Sequence, residues 1–176
     1  LQLSVFNSCE VKTGRVDAVF PDKIKCIAGS DCGGVFAVGT EPCNIYVHST
    51  VKKEFFASIH VNKEPCKILV TDCFSEIVVD TDGELLFYAT CGEFIGSVCI
   101  MCTSWCKFDR NSIDYILLSD SSHNIWYCMA GSPNNMHLVG SLQNEIMRIA
   151  FFSNPDRVCA LTTQGKLHIL PIRIII

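Results

Sequence analysis

The chain has 176 residues, of which 49% are hydrophobic and 18% charged, and 14 basic against 18 acidic residues give a formal net charge of −4. This composition is that of a globular protein and excludes a disordered chain. Because no basic stripe is present to neutralise a phosphate backbone, we expect no nucleic-acid partner. No apolar run reaches the roughly 20 residues that span a bilayer, and no secretory signal is apparent, so the sequence predicts a soluble, cytoplasmic protein.

The predicted elements are β-strands in four similar copies along the chain. Each copy contains two apolar runs separated by a polar break, which predicts a β-hairpin, and a further strand precedes it. In the first three copies another strand follows. The predicted hairpins are Phe36–His48, Ile77–Ala89, Ile116–Cys128 and Cys159–Pro171. Asp82-Gly83 and Gln164-Gly165 are suited to the positive φ angles of tight hairpin turns.

A gapless alignment of the four hairpins produces two columns of equivalent residues. The first column holds Val38, Val79, Leu118 and Leu161, and the second holds Ile45, Leu86, Ile125 and His168. Successive residues of the first column are 41, 39 and 43 positions apart. Four strands repeated about every 40 residues are typical of the blades of a β-propeller. An alternative is a β-sandwich or barrel with evenly spaced strands.

The predicted fold is therefore all-β, with about four blades of a WD40-like β-propeller. Stacked blades cover both faces of each sheet, which explains strands that are apolar without strict alternation. We expect residues 1–20 to be the end of a preceding blade and residues 21–62, 63–101 and 102–142 to be full blades. Residues 143–176 would form the last blade, and the segment 171–176 is the candidate for its final strand. The chain starts at Leu1, not at Met, and ends in an apolar run. We expect a piece of a larger ring of seven blades.

Two segments resemble a known family of large scaffold proteins. The sequences KIKCIAGSDCGGVFAVGTEPCNIYVHS and PCKILVTDCFSEIVVDTDGELLFYATCGEFIGSV are similar to the C-terminal WD40-type propeller of BEACH-domain proteins, and NEIMRIAFFSNPDRVCALTTQGKLHILPI resembles a blade of the same kind. WD40 blades usually carry a Gly-His pair early and a Trp-Asp pair late. This chain has neither at those positions, so the polar network that braces standard WD40 blades is not expected.

The resemblance implies a function in vesicle and membrane trafficking. It implies a non-catalytic scaffold that binds other proteins on its propeller faces and contacts the BEACH domain and remaining blades of the same polypeptide. Association with vesicle membranes would then come from other domains, without direct insertion. No cofactor is expected.

Twelve cysteines raise the question of disulfides or metal. Several of them lie inside apolar runs, where a free thiol behaves as a small buried hydrophobe, so reduced thiols of a cytosolic protein are the favoured interpretation. The one candidate zinc site is CIMCTSWC, with Cys99, Cys102 and Cys106, because Cys-x-x-Cys is a common half of such sites. A fourth ligand is missing, and packing alone explains these residues, so no metal is predicted.

No catalytic motif is present. The G-x-S-x-G and phosphate-binding patterns are absent, and the five histidines are scattered without metal-binding spacing. A non-enzymatic module is therefore the leading hypothesis. Two alternatives remain open, a propeller hydrolase with carboxylates in the channel and a propeller of another scaffold class.

Connecting loops are the predicted sites of protein binding, since loops carry the exposed charges of a propeller face. The candidate contact residues in these loops are Lys52, Lys53, Lys63, Asp109, Arg110 and Arg157. An ordinary solvated role for each of them is the simpler alternative.

Overall fold

The computed structural model describes residues 2–7, 10–17, 20–72, 76–153 and 156–174, with side chains described from residue 20 onward except that of Ser153. These ranges contain strands and turns and no helix. The strands are β1 (Gln2–Asn7), β2 (Glu10–Asp17), β3 (Ile24–Gly29), β4 (Val35–Thr40), β5 (Asn44–Ser49), β6 (Glu54–His60), β7 (Lys67–Val70), β8 (Glu76–Asp80), β9 (Leu85–Ala89), β10 (Phe94–Val98), β11 (Cys102–Arg110), β12 (Ile113–Asp120), β13 (Asn124–Met129), β14 (His137–Ser141), β15 (Ile146–Ser153), β16 (Asp156–Thr162) and β17 (Leu167–Pro171).

The strands form one two-stranded hairpin and four larger sheets. β1 pairs with β2, sheet 1 has the order β3-β4-β5-β6, and sheet 2 runs from β7 to β10. Sheet 3 runs from β11 to β14, and sheet 4 has three strands in the order β15-β16-β17. The strand pairs whose register is established are all antiparallel. The described part of the predicted closing segment, residues 172–174, is not a strand.

Two compact units divide the chain. One comprises residues 1–81 and 86–95, and the other residues 82–85 and 96–176. In the first unit, Ala37, Ile45 and Val47 of sheet 1 pack against a set of apolar residues from sheet 2: Ile68, Val70, Ile77, Val79 and Tyr88. In the second unit, Leu117, Ile125 and Tyr127 of sheet 3 pack against Ile149 and Ala160 of sheet 4. Each unit therefore has a core between two sheets.

The hydrophobicity of the described ranges was compared with that of membrane-spanning helices. They contain no helix of the length and hydrophobicity required to cross a lipid bilayer.

A bulge in the first strand fixes which residues of the sheets are equivalent. It lies between Ile24 and Cys26, between Cys102 and Ser104, and between Ile146 and Arg148, opposite Thr40, Asp120 and Thr162. The residues two positions before Thr40, Asp120 and Thr162 are Val38, Leu118 and Ala160, which are therefore equivalent. The sequence alignment placed Leu161, and not Ala160, in this column. The third-strand residues opposite them are Tyr46, Trp126 and His168. The predicted second column is therefore wrong at His168, because Leu167 is the residue equivalent to Ile45 and Ile125.

The residue opposite the bulge closes the following turn in all three sheets. Thr40 Oγ1 donates to the Asn44 carbonyl oxygen at 3.3 Å, and Thr162 Oγ1 donates to that of Lys166 at 3.3 Å. In sheet 3 the Asp120 carboxylate accepts from the backbone N–H of Ser122 and Asn124, both at 2.9 Å. These buried side chains thus form hydrogen bonds with backbone groups of the turns.

Gly39 lies where sheet 1 meets sheet 2 with no space for a side chain. A Cβ atom there would lie 2.6 Å from Cys26 Sγ and 2.9 Å from Pro65 Cγ. Because the ring of Pro65 cannot move aside without the backbone, we expect Gly39→Ala to lower the free energy of unfolding by about 1–3 kcal/mol. Urea denaturation measures this. Gly29→Ala is the control, since its nearest contact would be 3.7 Å away, and equal midpoints for the two variants would contradict the tight packing.

Candidate interaction surface

In the part of the chain that the structure describes, one face of sheet 4 is largely exposed. The register places the side chains of its three strands alternately on two faces, and one of these packs in the core of the second unit. We name the opposite side the uncovered face. It consists of Arg148, Ala150 and Phe152 from β15, Arg157, Cys159 and Leu161 from β16, and Leu167, Ile169 and Pro171 from β17.

The equivalent positions in sheets 1 and 3 are buried. Leu167 corresponds to Ile45 and Ile125, both 0% exposed, yet Leu167 is 63% exposed. Ile169, also 63% exposed, corresponds to the buried Val47 and Tyr127. Phe152 adds a third large apolar side chain that is more than half exposed. The uncovered face thus has the same apolar residue types with which sheets 1 and 3 pack against the following sheet. Because contiguous exposed apolar patches mark interaction sites, this face is a candidate interaction surface.

The charge of this surface is opposite to that of the chain. None of the nine residues of the uncovered face is acidic, and two are arginines. Lys166 immediately precedes β17, and Arg173 lies two residues after its last residue; both are exposed. Within the described ranges none of these four cations forms an ion pair. The surface is therefore apolar and cationic on a chain of net charge −4.

The free edge of β17 carries hydrogen-bonding groups. The Thr162 N–H donates to the Lys166 carbonyl oxygen at 3.0 Å, so alternate residues from Lys166 onward pair with β16. Leu167 and Ile169 consequently direct their N–H and C=O groups away from β16. Neither has a backbone partner in the described residues. In sheets 1 and 3 the corresponding groups of β5 and β13 pair with a fourth strand.

The second unit has two open pockets, one of which includes the end of β17. One, of about 390 Å³, is lined by Tyr127, Leu138, Val139, Pro171, Ile172 and Arg173. The other, of about 370 Å³, shares Tyr127 and extends to Tyr115, Met129 and His137. Tyr127 stacks on His137 with ring centroids 5.0 Å apart, and its hydroxyl donates to the Arg173 carbonyl oxygen at 3.0 Å. An apolar groove therefore runs between sheet 3 and the end of β17.

One polar atom of β17 has no hydrogen-bond partner among the residues that the structure describes. The Nε2 atom of His168 is buried without a hydrogen bond. The equivalent aromatic residues of sheets 1 and 3 do have carboxylate partners, since Tyr46 OH donates to Asp22 at 3.1 Å and Trp126 Nε1 donates to Asp120 at 2.8 Å. A carboxylate–aromatic network thus exists in sheets 1 and 3 in place of the WD40 network whose absence the sequence indicated.

The three predicted lysine contacts are not part of sheet 4. Lys52 and Lys53 are in the exposed turn between β5 and β6, and Lys63 is exposed in the segment between β6 and β7. Lys52 Nζ lies 5.3 Å from the Phe56 ring centroid. The three residues are in loops, as expected, and their role in binding stays a prediction.

The other three candidates lie in strands and not in loops. Asp109 and Arg110 end β11, and Arg157 is the second residue of β16. The strands extend further than predicted because β11 pairs with β12 as far as Arg110 and Ile113. Arg110 forms an ion pair with Asp156, so its guanidinium is engaged within the chain. Of the six candidates only Arg157 belongs to the uncovered face.

The candidate zinc cysteines are not brought together with further ligands. Cys99 is exposed, Cys102 and Cys106 are partly buried, and all three are free thiols. Burial raises the pKa of the Cys106 thiol to about 11, which keeps it protonated at neutral pH. In the described part of the chain no group of three or more His, Cys, Asp or Glu side chains is placed to hold a metal ion.

No known protein family and no curated protein matches the chain. Solved structures do resemble it. The computationally designed Ika4 protein aligns with a TM-score of 0.65 at 14% identity over 88% of this chain and 94% of its own.

Two further structures are similar over most of this chain. The Dos1 propeller has a TM-score of 0.66 at 8% identity, over 84% of this chain and 41% of its own. The computationally designed Ika8 protein has a TM-score of 0.64 at 15% identity, over 92% of this chain and 50% of its own. This chain thus spans half or less of the latter two proteins. At these identities the likeness shows the fold alone, which is all-β and β-propeller-like, as predicted.

Proposed function

We propose that this chain is a non-catalytic module that binds other proteins, and that sheet 4 is where it binds them. The observation that carries the proposal is the exposure of Leu167 and Ile169 at positions that are buried in sheets 1 and 3. Burying such side chains against a partner would gain about 1.5–3 kcal/mol each. We further propose that this binding requires no cofactor.

The finer assignment is to the C-terminal propeller of a BEACH-type scaffold in vesicle and membrane trafficking. Its support is the sequence resemblance of the first two repeats and the β-propeller-like fold. In this assignment the chain is cytoplasmic, its partners include the BEACH domain and further WD40-type blades of the same polypeptide, and contact with vesicle membranes is indirect.

An enzyme with carboxylates from several blades is the alternative function. The buried acids Glu76, Asp80, Asp114 and Asp120 are its candidates. Asp120, however, accepts four hydrogen bonds from Ser122, Asn124 and Trp126, which occupy both of its oxygens in a structural role. A scaffold explains sheet 4 directly, so we favour it.

Affinity capture from cell lysate tests the proposed function. We expect the immobilised 176-residue chain to retain specific proteins, and the double variant Leu167→Asp, Ile169→Asp to lose them, because charges replace the exposed apolar contacts. Quantitative mass spectrometry measures retention. Chelator in the wash should change nothing, whereas a zinc-dependent fold would release the partners.

The matched control is Lys67→Asp, Met101→Asp, which adds the same number of acids at exposed positions that lie outside sheet 4 and are not among the predicted contact residues. This control should retain the partners of the unsubstituted chain. Circular dichroism establishes that both variants are folded. Identical retained proteins for the sheet 4 variant and the unsubstituted chain would disprove binding through this sheet.

A further inference from the structure

We infer that Cys26 and Cys66 form a reversible disulfide bond between sheets 1 and 2 when the chain meets a small-molecule disulfide such as oxidised glutathione. Cys26 is the third residue of β3 in sheet 1, and Cys66 immediately precedes β7, the first strand of sheet 2. Both residues belong to the first compact unit. The inference concerns the redox chemistry of this unit and does not depend on the proposed function.

The packing around Cys26 directs its thiol toward the second sheet. Its Sγ atom lies 3.7 Å from the carbonyl oxygen of Pro65, the residue before Cys66. Gly39, opposite Cys26 in β4, leaves room for this sulfur, since a Cβ atom there would lie 2.6 Å from it. Cys26 also packs against the apolar core between sheets 1 and 2. Its side chain is therefore held beside the backbone that carries Cys66.

Cys66 has an anchored backbone and an accessible side chain. Its N–H donates to the Asp80 carbonyl oxygen at 2.7 Å, which fixes the residue against the end of β8. The residue is exposed, and its Sγ atom lies 3.8 Å from the Glu64 carbonyl oxygen. Because core packing does not oppose a rotamer change of an exposed side chain, the Cys66 sulfur is able to turn toward Cys26.

The separation of the two residues is compatible with a disulfide. One peptide bond joins the Pro65 carbonyl group to Cys66, so Cys26 Sγ lies no more than about 6.5 Å from the Cys66 Cα atom. A cysteine Sγ lies about 2.8 Å from its own Cα, and a rotamer directed at Cys26 covers much of this separation. The segment 61–66 contains no strand, so a small shift of its backbone would close the remainder.

The two thiols differ in reactivity. Burial raises the pKa of Cys26 to about 11, and the nearby charges of Cys66 and Asp80 add to the increase. Cys26 is therefore protonated at neutral pH. Since the thiolate is the nucleophile and access limits its reaction, the exposed Cys66 reacts first with an oxidant from solution.

The oxidation proceeds in two thiol–disulfide exchanges. The Cys66 thiolate attacks one sulfur of oxidised glutathione, forms a mixed disulfide and releases one glutathione thiolate. Cys26 then loses its proton to solvent, attacks the Cys66 sulfur and releases the second glutathione. The two protein thiols lose two electrons and two protons, and the oxidised glutathione gains them as two glutathione thiols. Excess reduced glutathione reverses both steps.

Peptide mapping of the oxidised chain tests the inference. The folded 176-residue chain is incubated with oxidised glutathione, the remaining thiols are alkylated, and the protein is digested with trypsin without reduction. We expect a disulfide between the tryptic peptides 26–52 and 64–67, which mass spectrometry identifies. Absence of this linked pair from the folded, unsubstituted chain would overturn the inference. So would an equal yield of the pair in concentrated urea, because the native packing would then not direct the reaction.

Variants identify the partner of Cys66, since peptide 26–52 also contains Cys32 and Cys43. Cys26→Ser should abolish the link and leave glutathione attached to Cys66. The matched controls Cys32→Ser and Cys43→Ser should keep the link. A link that survives Cys26→Ser would assign the bond to another cysteine and disprove the pairing.

The stability of the oxidised chain is a second readout. The bond joins residues 40 positions apart and so restricts the unfolded chain. Oxidation should shift the midpoint of urea denaturation of the unsubstituted chain to a higher concentration, and dithiothreitol should restore the original midpoint. Cys66→Ser, which is unable to form the bond, should show no shift. An equal shift for Cys66→Ser would mean that oxidation acts at other cysteines.

Discussion

Truncation of Ile125 to alanine is expected to lower the free energy of unfolding by about 2–5 kcal/mol, whereas Leu167→Ala should change it by less than about 0.5 kcal/mol. The two residues occupy the same position in successive sheets and differ in burial, at 0% and 63% exposed. The large effect arises because removal of the Ile125 side chain leaves a cavity between sheets 3 and 4. The exposed Leu167 loses contact only with solvent and immediate neighbours.

Urea denaturation of both variants measures this difference. The m-values should stay equal to that of the unsubstituted chain, which shows that the compactness of the states is unchanged. A cost of several kcal/mol for Leu167→Ala would mean that a second copy or another element covers the face in solution. The proposed interaction surface would then be occupied already.

The strands of the fold are predictable from local sequence. Asp82 and Gly83 have φ angles of 56° and 109°, and Gly165 has 76°, so the residues chosen for their turn chemistry do form the tight turns. The apolar runs on either side of each break pair as predicted, as Val38 with Tyr46 and Leu118 with Trp126 demonstrate. Turn and strand preferences act over a few residues, which is why one sequence is sufficient to find them.

The face of the sheet on which each side chain lies was harder to predict. The gapless alignment placed Leu161 with Leu118, whereas pairing places Ala160 there. A one-residue slip moves a side chain to the opposite face of a strand, so Leu161 was aligned with Val38 and Leu118, which prove to be buried, although it lies on the uncovered face. The bulges at the start of sheets 1, 3 and 4 fix the register, and a bulge has no distinctive residue type in this chain.

The interaction surface itself has no local signature. Leu167 and Ile169 have the same apolar character as Ile45 and Val47, and only the absence of a covering sheet distinguishes them. Arg157 was selected for its charge and was assigned to a loop, yet its place in β16 is what puts it on this surface. Similarly, nothing in the local sequence indicates that His48 is buried, yet it is 4% exposed and stacked on Phe36, and burial lowers its pKa. Contacts between sheets decide these cases.

The replacement of Asp120 by asparagine is expected to cost about 1–3 kcal/mol at pH 7 and much less in acid. The carboxylate is buried, and it accepts hydrogen bonds from Trp126 Nε1 at 2.8 Å and from the Asn124 side chain at 3.1 Å, as well as from two backbone N–H groups. Each carboxylate oxygen accepts two of these four hydrogen bonds, and an asparagine amide accepts only at its oxygen, so two of the donors would lose their acceptor.

The pH dependence follows from the pKa of Asp120. Burial opposes its charge, but the hydrogen bonds from Trp126, Asn124 and Ser122 outweigh burial and lower the pKa of the folded carboxyl below its usual value. Because the unfolded state binds the proton more tightly, this stabilisation is complete above the unfolded pKa of about 4 and is lost as the pH falls through the folded pKa. Thermal unfolding between pH 7 and pH 2 should therefore show the two proteins converging in acid. Glu145→Gln, an exposed control, should follow the unsubstituted chain throughout. A pH-independent difference for Asp120→Asn would show that the residue contributes by packing alone.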